Sequence, residues 1–195
     1  MTDDPRPYHH GDLRAALLAA AEAELADKGI EAFSLRAVAK RAGVSHAAPA
    51  HHFGDVTGLL TALAAEGFHT FLASMTARTT PDAPPETRLE AAGLGYVDFA
   101  MARPALFRLI FSSSRPDFTD PALSDAADAA YGHLVALVAE LGGSEPDVLA
   151  IWATAHGAAD LLAGGRLKGL DDAPPARREA MLRAMLSRVM PRPGG

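Results

Sequence analysis

Apolar residues along this chain recur at intervals of three and four, and nowhere alternate with period two over the length of a strand. Leu13, Leu17, Ala21 and Leu25 predict a first helix, stopped by Gly29. Leu35, Val38, Ala39 and Ala42 share one face of a second, and a short third follows at about 46–52. From Asp55, a natural cap, a long helix carries Leu59, Leu60, Leu63, Phe68, Phe71, Leu72 and Met75. Thr79 to Pro85 is turn chemistry, and the helix after it, to about Ala102, bears Leu89, Leu94, Tyr96, Val97 and Phe99. Pro104 suits the first turn of a short helix with Phe107, Leu109, Ile110 and Phe111. An Ala-rich helix from Pro121 ends at Gly142-Gly143, and Ser144 with Asp147 forms an S-x-x-D start for the next. That helix carries Val148, Ile151, Trp152, Ala155, Ala159 and Leu162, and a last one spans about 176–189. The pattern predicts an all-α protein: a three-helix head at 1–54, a helical bundle at 55–190 and a frayed tail at 191–195.

The head carries the sharpest local signal. Ser34 is placed to cap the second helix, with Phe33 and Val38 closing a hydrophobic staple around it. Gly43 supplies the left-handed backbone that ends a helix, Val44 fills the angle, and Ser45 is a candidate cap for the third helix. Small Ala39 permits a close crossing, so the segment reads as a helix-turn-helix whose second helix enters the major groove of DNA. Pro49 leaves the start of that helix open between Ser45 and Pro49 itself.

Composition narrows the field. With 195 residues, 49 % of them hydrophobic, the chain can bury a sizeable core, and no uninterrupted apolar run approaches the roughly 20 residues of a membrane span. There is no cysteine, hence no disulfide or thiolate metal site, which fits a cytoplasmic protein with no membrane association. The net charge is −6, and residues 1–58 hold six Lys/Arg against eight Asp/Glu, so nucleic-acid binding must rest on a local surface. Five of eight histidines lie in the head: His9, His10, His46, His51 and His52. Ordinary imidazoles titrate near 6.5, so His46 and His51 can supply pH-dependent charge to phosphate, while His52 beside Phe53 suits packing. The histidine spacing matches no metal site, no catalytic signature is present, and no cofactor is expected. His156 and Asp160 stand one turn apart, spaced for a hydrogen-bonded pair.

The aromatic set of the bundle, Phe71, Tyr96, Phe99, Phe107, Phe111 and Trp152, suits either plain core or the wall of an apolar cavity. Tyr96, Trp152 and His156 would be its polar handles. Ala155, Ala159 and Leu162, with Leu182, Met185, Leu186 and Val189, offer a face for helix packing, either within the chain or across a dimer.

These features together resemble the TetR family of bacterial transcription regulators. The resemblance rests on Tyr8-His9-His10-Gly11-Asp12-Leu13, on Ser34-Leu35-Arg36 through Ala39, on Gly43-Val44-Ser45 and on His52-Phe53. In the bundle, Arg103 to Phe107 and Trp152 to Gly157 resemble a subgroup whose C-terminal domain is named for a Trp-His-Gly motif. It implies a homodimer whose heads read successive major grooves of a near-palindromic double-stranded DNA operator, a pocket for a small apolar or aromatic ligand, and a dimer interface from the last two long helices. DNA-contacting positions would be Ser34, Arg36, Ser45, His46, Ala47, Ala50, His51 and Thr57. The chain departs from the family at two of its phosphate contacts: Ala50 stands where a tyrosine is usual, and Val56 where a lysine is usual. The expectation is a ligand-responsive repressor, not an enzyme; the alternative is a dimeric small-molecule-binding or interaction protein with weak or lost DNA affinity.

Overall fold

The computed structural model describes residues 10–191, and the described residues form helices and connecting turns without a strand. The calls on His9 and on the tail beyond Pro191 lie outside the described residues. The helices are α1 (His10–Lys28), α2 (Leu35–Ala42), α3 (Ala48–Phe53), α4 (Val56–Thr76), α5 (Pro85–Ala102), α6 (Pro104–Ser112), α7 (Pro121–Glu140), α8 (Glu145–Ala163), α9 (Lys168–Asp171) and α10 (Pro175–Leu186).

Most boundaries follow from single residues. Ser34 accepts the Ala37 N–H at 3.3 Å, and Gly43, at φ 69°, ends α2 while Val44 donates to the Ala39 carbonyl at 3.1 Å. Asp55 accepts the Gly58 N–H at 2.9 Å to open α4. Asp120 takes the N–H groups of Ala122 and Leu123 to open α7. The Ser144 N–H donates to Asp147 at 2.7 Å at the start of α8. Two predicted ends move. The third helix starts at Ala48 rather than 46, because Pro49, with no N–H to satisfy, belongs in a first turn; Ser45 caps nothing with its side chain. The last helix ends at Leu186, three residues short of Val189, and α9 is a short turn of helix that periodicity did not mark.

Helix α4 is the spine. Val56–Thr76 is long and apolar enough by length and composition to cross a membrane, the single such helix among the described residues. Its apolar faces are spent on the interior: Leu59, Leu60, Leu63, Phe68, Phe71 and Met75 are all buried. It packs against α1 and α3 at one end and against α5, α6 and α7 along the rest. One hydrophobic core therefore runs unbroken from Leu17, Leu25, Phe33 and Val38 in the head to Leu123, Leu137 and Ile151 in the bundle. Where α4 meets α5, Gly95 lets the two backbones touch, and the Ser74 hydroxyl donates to the Gly95 carbonyl at 2.9 Å.

Candidate nucleic-acid interface and ligand cavity

The head presents α3 outward. Of its residues, Pro49 is buried and Phe53 packs on the core, with the Arg14 guanidinium of α1 lying 5.5 Å over the Phe53 ring. The positions expected to meet DNA are solvent-exposed: Arg36, Ser45, His46, Ala47, Ala50, His51 and Thr57. Ser34 is half-buried and engaged as a cap. His52 is half-buried between the His51 and Phe53 rings. The head's cations divide into two kinds. Arg41 is tied between Glu24 at 2.8 Å and Asp27 at 3.0 Å, clamping α2 to α1. Arg36 and Lys40, both on α2, make no ion pair among the described residues and remain available to phosphate.

A second feature lies in the bundle. A cavity of about 470 Å³ opens between α4, α5, α6, α7, α8 and the segment following α6. Four of the residues expected to line a pocket do so: Phe71, Tyr96, Phe111 and Trp152. Phe99 and Phe107 do not; at 2 % and 1 % exposure they pack behind the wall, in ring contact with Phe71 and Tyr96 respectively. His156 also stands behind the wall, where its Nδ1 and the Tyr96 hydroxyl share a 2.7 Å hydrogen bond. That bond replaces the expected His156–Asp160 pairing, since Asp160 is engaged by Arg166 instead. Burial pushes the Tyr96 phenol well above its ordinary range, with the Trp152 indole pulling partly back. Tyr96 is thus a neutral hydroxyl inside an aromatic wall.

Sequence reasoning missed Phe68, Met75, Asp128 and Tyr131 among the lining residues. Small residues on facing helices line the space, Ala92 on α5 with Ala127 and Ala130 on α7. An Ala-rich α7 facing aromatic helices is a readable sign of volume left unfilled.

The face expected to form a dimer is turned inward within one chain. Ala155, Ala159, Leu162, Leu182 and Leu186 are at most 6 % exposed, and Met185 and Val189 are partly buried against the same core. Gly93 explains the placement: it lets Leu186 of α10 settle on α5, which α8 also covers. The apolar residues that α8 and α10 show to solvent are Leu149, Trp152, Leu161 and Met181.

Residues 17–63, which include the helix-turn-helix, match the domain family described as bacterial regulatory proteins, tetR family. Residues 89–189 match the tetracyclin repressor-like C-terminal domain. The chain belongs to the TetR family. This TetR-family regulator resembles several solved structures over nearly its whole length. A protein of unknown function from Rhodococcus sp. RHA1 is 34 % identical, covers 96 % of this chain and 100 % of its own, and superposes with a TM-score of 0.79. A TetR-like transcriptional regulator from the same organism is 17 % identical, with coverage of 95 % and 97 % and a TM-score of 0.67. The multidrug binding protein EbrR, complexed with imidazole, is 23 % identical, with coverage of 99 % and 100 % and a TM-score of 0.63. At those last two identities the likeness speaks to fold alone. No curated protein sequence matches the chain.

Proposed function

We propose that this TetR-family transcriptional regulator is a homodimeric, ligand-responsive repressor of the cytoplasm, with a DNA-reading head at 1–54 and a ligand and dimerisation bundle at 55–190. The observation that carries the proposal is the continuity of α4. Its first turn abuts α3, and one side of its later turns, through Phe68, Phe71 and Met75, forms cavity wall. Two further ties couple the cavity region to α4 and to the head. The Asp117 N–H donates to the buried Thr61 hydroxyl of α4 at 2.9 Å, next to the cavity residue Phe118. Arg103, at the start of α6, pairs with Glu22 of α1 at 2.6 Å. A ligand that displaces Phe111 or Phe118 therefore pulls on both α1 and α4, and shifts the spacing of two heads if it binds the two arrangements unequally. The subgroup resemblance through Trp152 to Gly157 is part of the same reading, and the dimer face it needs is the outward side of α8 and α10, at Leu149, Leu161 and Met181.

DNA contact in this reading uses the exposed positions of α3, Ser45 and Thr57, with Arg36 and Lys40 on phosphate. Because α3 has no Lys or Arg, few phosphates are neutralised there and the salt dependence of binding is shallow. The test is footprinting on DNA flanking the protein's own gene at several salt concentrations, with the dimer verified by sedimentation. Protection that weakens only gently as salt rises supports the reading. The acidic head favours one competing reading, a ligand-binding dimer without useful DNA affinity; a folded dimer that gives no protection even at low salt selects it.

A further inference from the structure

We infer that the cavity is built for an amphipathic organic cation, its apolar body among the inner rings and its quaternary or protonated amine at the mouth. The inference rests on the reading of this cavity as the ligand site, and adds the charge of the ligand to it.

Three observations converge. Among the described residues three aromatic side chains are strongly exposed, Phe118 at 43 %, Tyr131 at 42 % and Trp152 at 36 %, and all three line this one cavity. Leaving such rings in water forfeits on the order of 1 kcal/mol or more of burial each, so their convergence on one opening calls for an occupant. The Tyr131 and Trp152 rings stand 5.6 Å apart at 59° to each other, two walls of a corner rather than a closed stack. Ring faces so disposed attract a cation through their quadrupoles, most strongly one with a diffuse, weakly hydrated charge.

The second observation is charge. Asp128 sits one helical turn before Tyr131 on α7 and is the sole charged residue of the lining, which contains no Lys, Arg or His. No described cation pairs with it within ion-pair distance; the arginines of the bundle that form pairs are engaged by Asp98, Glu140, Asp160, Glu179, Glu90 and Glu22. A carboxylate and three exposed rings lining one cavity favour positive charge and disfavour an anionic ligand. The third observation is the interior. Phe68, Phe71, Met75, Ile110 and Phe111 offer no polar partner, the Tyr96 hydroxyl is already bonded to His156, and among the described residues no buried side-chain polar atom lacks a partner. Nothing inside can compensate a charge, so the ligand's charged end must stay at the mouth.

The chain contains a single tryptophan, Trp152, so its fluorescence reports on the mouth alone. The full-length protein is titrated with (4-phenylbutyl)trimethylammonium, with the neutral isostere carrying carbon in place of nitrogen, and with a phenylalkanoate of the same length; naphthalene serves as a small neutral probe of the interior. The expected result is binding of the cation about tenfold or more tighter than of its neutral isostere. Asp128→Asn and Tyr131→Leu, both at exposed positions, each weaken the cation about two- to fivefold more than they weaken the neutral isostere. A neutral isostere that binds as well as the cation, or a carboxylate that binds better, overturns the assignment of charge and leaves the cavity as a ligand site. Binding of naphthalene alone does the same. Silence of all four probes overturns both readings together.

Discussion

Gly95→Ala separates two physical arguments that give opposite signs. Gly95 lies in the interior of α5, where replacing glycine by alanine ordinarily stabilises a helix by about 1 kcal/mol. Here a Cβ would stand 2.8 Å from both the Met75 Cα and the Ser74 carbonyl carbon, with the Ser74 oxygen closer still. Ordinary contact begins near 3.4 Å, so α4 and α5 must part by at least about 0.6 Å, and no side chain can swing aside because the obstacle is backbone. Overpacking of this kind costs about 1–3 kcal/mol, toward the upper end when both sides are rigid. The separation also stretches the 2.9 Å bond from Ser74 to the Gly95 carbonyl, worth about 1 kcal/mol. Net of the propensity gain, the variant loses about 1–3 kcal/mol, or about 3–10 °C in Tm for a chain of this size. Gly132→Ala is the matched control, since its Cβ meets nothing within 4 Å on α7, and its Tm is expected to hold or rise. Both are read by thermal melting at equal protomer concentration, because any self-association makes Tm concentration-dependent. A Gly95→Ala protein as stable as the parent, with Gly132→Ala unchanged, refutes the close approach of α4 and α5.

Other consequences are simpler to state. Arg41→Ala leaves the Glu24 carboxylate, 6 % exposed, without its partner and unclamps α2 from α1; hydrogen exchange is expected to quicken in α2 while α8 is unaffected, and Lys28→Ala serves as the mild comparison. Asp120→Ala removes a cap that holds two N–H groups at the start of α7 and is expected to cost about 1 kcal/mol by denaturant titration, an unchanged midpoint being the contrary result. The pH profile of stability has two acid limbs. Burial, aided by the nearby Arg88 charge, pulls the His133 imidazole below its ordinary 6.5, so its contribution is complete above that pH and drains away below it as the unfolded chain takes up the proton. The Ser144 N–H and hydroxyl hold the Asp147 carboxyl below its usual value of 3.8, so that contribution is intact above about pH 4 and lost as pH falls further. His133→Gln is expected to remove the first limb from melting curves taken between pH 5 and 8, and Asp147→Asn to flatten the second.

Helix boundaries were legible because each is decided by one or two residues acting locally: Ser34 and Gly43 around α2, Asp55 before α4, Ser144 with Asp147 before α8. The exception, the start of α3, is also local, and a proline with no N–H settles it at Ala48. Faces were harder than boundaries. The small residues Ala155 and Ala159 announce that something approaches α8 closely, but a stripe of small side chains is the same whether the neighbour comes from this chain or another. The structure sets α5, some 60 residues away in sequence, against α8, and pairing between distant helices is invisible to periodicity. The cavity was half legible for a related reason. Large aromatic residues can be read directly, so Phe71, Tyr96, Phe111 and Trp152 were found; a void is made by what is missing, and Ala92, Ala127 and Ala130 mean space only once α5 and α7 are known to face each other. The charge at its mouth follows the same logic: Asp128 reads as one more solvated carboxylate until α7 is docked and Tyr131, Phe118 and Trp152 gather around the same opening.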